Sequence, residues 1–151
     1  MTDATPNPQL TIRGQYIKDL SFEAPKGPFS LNELKEPPKM DVNVDLEGKK
    51  VGDEIYEMVL KISVEALGPD EKIFVAELAY GGIFQMQNVP EDRIQPMLFI
   101  DCPFIIFPFA RRVLADVTRD GGFPPLMLEP IDFHSLFVKR IQQDEANKEA
   151  S

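Results

Sequence analysis

The chain has 151 residues, 43% hydrophobic and 27% charged, enough for one core of ordinary size and unlike a disordered or repetitive polymer. Twenty-five Asp and Glu against sixteen Lys and Arg leave a net charge of -9, which repels nucleic-acid phosphates and anionic lipid surfaces. The single cysteine, Cys102, excludes an internal disulfide and a thiolate zinc site, and the opening MTDATPNPQL lacks the basic start and apolar centre of a signal peptide, so a reducing cytoplasmic setting is expected.

Residues 1–8 hold two prolines and no apolar period, which predicts a flexible N-terminus. A first strand is predicted over 9–23, with Leu10, Ile12, Tyr16, Leu20 and Phe22 in phase. Pro25, Pro28, Pro37 and Pro38 deny a ladder its donors, so 24–38 reads as a crossover loop over the surface. A second strand follows over 39–47, with Val42, Val44 and Leu46 in phase. From Tyr56 to Ala66 the even positions are apolar and most odd ones polar; from Ile73 to Phe84 the period returns, with Phe74, Ala76, Leu78, Tyr80 and Phe84 on one face and Val75, Glu77 and Ile83 on the other. The turn residues Gly68-Pro69-Asp70-Glu71 join these two strands in an antiparallel hairpin.

After residue 90 the period changes. Glu91 and Asp92 suit a helix start, Pro103 and Pro108 interrupt it, and Phe104-Ile105-Ile106-Phe107 is apolar on every side, which predicts a long kinked helix buried all round. Gly121-Gly122 stops that helix. A short C-terminal helix is predicted from Asp132 as N-cap, with Phe133, Leu136, Phe137 and Ile141 on one face, and 144–151 as a disordered acidic tail. Strands first and helices last make the fold class α+β: a four-stranded antiparallel sheet with two helices, in one domain over 9–143. Strands this long and an all-apolar helix offer more hydrophobic surface than one such chain covers, so packing between subunits is expected.

The sequence has no P-loop, GxGxxG, GxSxG, HExxH or CxxC. His134 sits beside an apolar stripe, and Cys102 precedes Pro103 in an apolar region that disfavours a thiolate, so a Cys102/His134 hydrolase reading is poorly supported. Asp53-Glu54, Glu91-Asp92 and Asp144-Glu145 are sequence neighbours whose carboxylates diverge, which suits solubility and capping. Asp19 and Glu23 on the first strand, with Val75 and Glu77 on the fourth, are odd-numbered residues opposite the apolar face, and they predict a flat acidic surface suited to a basic partner. Eleven Phe and six Met, many in the last third, are core by default, but such side chains also line adaptable grooves for varied apolar partners.

The runs Cys102-Pro103, Phe107-Pro108-Phe109-Ala110-Arg111 and Gly121-Gly122-Phe123-Pro124-Pro125-Leu126-Met127-Leu128-Glu129-Pro130-Ile131-Asp132-Phe133, closing on Leu136-Phe137, resemble the bacterial protein-export chaperone family SecB. Tyr16 to Pro25 and Gly81-Gly82-Ile83-Phe84 agree with the same family, and the resemblance spans roughly 9–142. It implies a cytosolic homotetramer, a dimer of dimers, that holds precursor proteins unfolded and delivers them to the SecA motor, with no catalysis, no cofactor, no metal of its own and no membrane insertion. It implies that Asp19, Glu23, Val75 and Glu77 receive the basic, zinc-bearing C-terminal tail of SecA, with Val75 where leucine is usual. It further implies client contact at Phe29, Phe133 and Phe137, and an influence of Ala76, Leu78 and Tyr80 on the oligomer interface. The alternative reading of the same Phe and Met residues is a closed pocket in a small apolar ligand- or lipid-binding α+β domain.

Overall fold

A computed structural model describes residues 7–150; the expectations for residues 1–6 and for residue 151 lie outside the described residues. Four strands, β1 (Gln9–Glu23), β2 (Lys39–Gly52), β3 (Ile55–Leu67) and β4 (Lys72–Gln87), form one antiparallel sheet in the order β1-β4-β3-β2. The predicted β3–β4 hairpin is present, with β4 central and β1 brought to its far side by the crossover. That crossover closes through a 3₁₀ turn, Pro28–Glu33, whose Ser30 hydroxyl donates to the Gly27 carbonyl at 2.8 Å.

The even face of β3 and β4 carries the core: Met58, Leu60, Ile62 and Val64 are at most 1% exposed. Each such side chain contributes about 1.5–3 kcal/mol by leaving water. The covering layer is one continuous helical path made of α1 (Glu91–Pro96), a π turn (Met97–Asp101) and α2 (Cys102–Asp120). The Cys102 amide donates to the Met97 carbonyl five residues back, a widening of the ladder just ahead of Pro103, whose ring cannot donate. Ile106, Ala110, Val113 and Leu114 form the stripe that packs on the sheet, with Ile106 over Gly82.

The prediction that this helix is buried all round is corrected: Phe104 is 71% exposed and Phe109 41%. One sheet covers one side of a helix, and among the described residues little lies over Phe104 and Phe109 on the other. α2 ends in a Schellman motif, the Phe123 amide bonding the Thr118 carbonyl at 3.0 Å and the Gly122 amide the Arg119 carbonyl at 2.9 Å. Gly122 takes φ +91°, and a Cβ there would lie 2.8 Å from Pro28 Cγ.

Asp132 caps α3 (Phe133–Ala150) as predicted, its carboxylate accepting the Ser135 amide at 3.1 Å. The helix is not short, however, and the segment expected as a disordered acidic tail is helical through residue 150. Ala, Glu and Lys favour helix without needing an apolar stripe. A second correction concerns Tyr16. β1 bulges by one residue at Arg13 and again at Lys18, and each extra residue swaps the face to which the strand's parity points. Tyr16 therefore leaves the phase of Leu10, Ile12, Leu20 and Phe22 and stands on the outer face opposite Gly81.

Candidate functional site

The uncovered face of the sheet brings the four predicted acidic-surface residues together. Asp19 lies opposite Ala79, Ser21 opposite Glu77 and Glu23 opposite Val75, so all four share the outer face across the β1–β4 ladder. Asp19, Glu23 and Glu77 are exposed and Val75 half-buried. β3 and β2 continue the same rows with Glu65, Asp41 and Asp45, which the sequence reading did not single out although they follow the same odd-residue rule. Two of the neighbouring charges are paired, Glu65 with Lys72 at 3.2 Å and Lys61 with Glu47 at 2.7 Å. The hydrogen bond and charge of Lys61 hold the Glu47 carboxyl below the usual range. Such exposed pairs contribute little to stability, because water and salt screen them. A shallow depression of about 340 Å³ opens at the centre of this face, walled by Asp19, Asp45, Lys61 and Glu77.

On the helix side a trough of about 240 Å³ lies between the crossover and the segment after α2, lined by Leu31, Pro38, Met40, Phe74, Phe123 and Met127. Its floor is an aromatic cluster in which Phe74 stands 5.5 Å from Phe22 and 5.1 Å from Phe123 between ring centroids. Thr118 fixes the lip: its buried hydroxyl donates back into α2 and accepts the Leu126 amide at 2.9 Å. The apolar run Phe123 to Met127, carrying two prolines that suit neither helix nor strand, was the signal for this wall.

The three predicted client residues are not gathered in one groove. Phe29 is 77% exposed on the 3₁₀ turn that also carries Leu31. Phe133 is 3% exposed, packed edge-on to Phe107 within the core. Phe137 is half-buried and stacks on Phe99 at 6.2 Å, beside a separate depression of about 250 Å³ near Leu46. There Arg140 stands 4.4 Å above the Phe99 ring and donates to the Leu46 carbonyl at 3.1 Å. Ala76, Leu78 and Tyr80 are 0%, 3% and 7% exposed, on the inner face of β4 in the subunit's own core.

Cys102 is fully buried, and that burial, with the charge of Asp101 adding, pushes its thiol far up, while His134 is exposed. The two do not face a common substrate. Among the described residues no group of three or more His, Cys, Asp or Glu could hold a metal ion, and no helix is long and apolar enough to cross a membrane.

A one-sided α+β layer with an acidic outer face and an open apolar trough on the other side is the build of a binding protein. The family model for the preprotein translocase subunit SecB matches residues 3–144. The protein-export protein SecB of Parvibaculum lavamentivorans is 52% identical over 136 residues, 90% of this chain and 81% of its own length. That of Bartonella bacilliformis is 45% identical over 141 residues, 93% of this chain and 89% of its own. Among solved structures, a SecB-like chaperone of Mycobacterium tuberculosis, in complex with an antitoxin peptide, superposes with a TM-score of 0.62 at 15% identity, covering 81% of this chain and 90% of that one; the likeness is one of fold. The chain belongs to the SecB family, and its role is that of a chaperone in protein export. SecB proteins are chaperones, which are not a class of enzyme.

Proposed function

We propose that this chain holds unfolded precursor polypeptides in its apolar trough and passes them to the SecA motor through Asp19, Glu23, Val75 and Glu77, as a homotetramer in the cytoplasm. The observation that carries the reading is the placement of two surfaces of opposite character on opposite faces of one sheet, so a client and a basic partner can be held at once. Unfolded chains expose apolar segments of any sequence, and an open trough with Phe, Met and Pro walls is unselective about their shape. Burying about 400 Å² of apolar client surface is worth about 10 kcal/mol gross at ~25 cal/mol/Å², from which ordering the client subtracts much. Holding is then reversible, and several subunits acting together restore grip by avidity. The exposed side of α2, with Phe104 and Phe109, suits burial between subunits. The mycobacterial SecB-like chaperone carries a peptide, which is the kind of ligand proposed for the trough.

The test is refolding of a slow-folding precursor diluted from denaturant at one tetramer per client, with light scattering in the same cuvette. Arrested refolding without aggregation is expected, and Met127→Asp, on the trough wall at a residue 65% exposed, weakens the arrest. Glu77→Lys is expected to abolish binding of the SecA tail while sparing the arrest. Unaffected refolding with the unaltered protein would sink the holding role, and loss of both functions in Glu77→Lys would point to misfolding.

A further inference from the structure

The acidic docking face depends on a bulge that something must hold in place. β1 pairs with β4 as Ile17 opposite Tyr80 and then Asp19 opposite Ala79, which leaves Lys18 as the extra residue. Before this bulge Tyr16 points outward; after it Leu20 and Phe22 point to the helices, and Asp19, Ser21 and Glu23 point outward. If the strand ran straight through Lys18, every residue beyond would change face, burying Asp19 and Glu23 and expelling Phe22 from its contacts with Phe74 and Phe123.

The two residues that bracket Ile17 are tied to one carboxylate. The Tyr16 hydroxyl donates to Glu57 Oε2 on β3, reaching across β4. Lys18 Nζ lies 3.5 Å from Glu57 Oε1, and Lys49 approaches the same oxygen at 3.9 Å. The Glu57 side chain is only 11% exposed, so the interaction is shielded from water compared with the other ion pairs of this face. The span across β4 requires the strand beneath the ring to lack a side chain: a Cβ on Gly81 would lie 2.5 Å from Tyr16 Cζ.

We propose that Tyr16, Glu57 and Gly81 are positioning residues for partner docking: they lock the Lys18 bulge and so aim Asp19 and Glu23 at the basic partner without touching it. The inference rests on the docking role proposed above. In strand physics it is a bulge re-aiming side chains beside a binding site. The lock belongs to the fold of the sheet, whereas the acidic residues it aims belong to the contact.

Two readouts separate the lock from the docking reading. Backbone amide exchange by NMR needs no partner, and Tyr16→Phe, which keeps the ring and the net charge, should speed exchange over 18–23 by about fivefold while most of β3 is unchanged. Binding of the basic, zinc-bearing SecA tail peptide to the full tetramer should weaken by about fivefold in Tyr16→Phe, with the slope of log Kd against log salt unchanged, because no charged contact is lost. A direct contact variant, Glu77→Gln, should reduce that slope. Glu57→Gln combined with Tyr16→Phe should weaken binding by less than the product of the single effects, since both cut the same bond. Unchanged exchange in Tyr16→Phe overturns the lock, and faster exchange with unaltered tail affinity overturns its positioning role. If Glu77→Lys still binds the tail, the docking reading itself fails and the positioning role falls with it.

Discussion

Thr118→Val is the sharpest single test of how the trough is built. Thr118 is fully buried, and its hydroxyl donates to the Leu114 and Ala115 carbonyls at 2.9 and 3.0 Å while accepting the Leu126 amide at 2.9 Å. Valine has nearly the same shape and a similar helix propensity, so the exchange removes little beyond the hydroxyl. The two carbonyls keep their α-helical partners, but the amide of half-buried Leu126 loses its acceptor. An unsatisfied buried donor costs about 1–3 kcal/mol, and we expect about 2. For a chain of this length that is a fall in Tm of about 4–8 °C. Thermal unfolding at fixed protein concentration measures it, since assembly links stability to concentration. Thr118→Ser retains the oxygen and should recover most of the loss. A valine variant as stable as the parent, or a serine variant as unstable as valine, would refute the assignment of the lip to this hydroxyl.

Gly122→Val combines a positive φ with a Cβ 2.8 Å from Pro28 Cγ, and should destabilise by about 2–4 kcal/mol in denaturant unfolding, while Gly68→Ala, which meets flexible Ile73 and Leu34 methyls, costs less. The Tyr16 hydroxyl is pushed up to about 12 by burial, with the Glu57 hydrogen bond and charge adding. Its contribution to stability is thus full below the unfolded value of 10.0 and lost as pH rises toward 12, and Tyr16→Phe should remove a phenol that titrates near pH 12 from an absorbance titration. Glu57 moves the other way, its carboxyl held low first by the Tyr16 hydrogen bond; its contribution is present above the ordinary carboxylate range and fades as pH falls through the lowered folded value, so Glu57→Gln should flatten acid unfolding. Cys102, buried and with its thiol pushed far up, should react with an aromatic disulfide reagent only as fast as the protein opens; rapid labelling of the native chain would contradict the burial.

The local sequence carried the period-two strands, the Gly-Pro turn, the Asp132 cap and the Gly121-Gly122 stop, because each depends on contacts within a few residues. It also carried the acidic face, since Asp19, Glu23 and Glu77 obey a parity that survives in β4 and in the last stretch of β1. Tertiary structure alone decided the rest. The bulges at Arg13 and Lys18 are defined only against the partner strand, so the reversal of Tyr16 leaves no trace in β1 itself. The trough is assembled from four separated segments, and Phe133 and Phe137 look equivalent on a helical wheel, yet only Phe133 meets Phe107 in the core. Which side of α2 stays bare is likewise set by the presence of one sheet and not two, a matter of layers that no periodicity within the helix encodes.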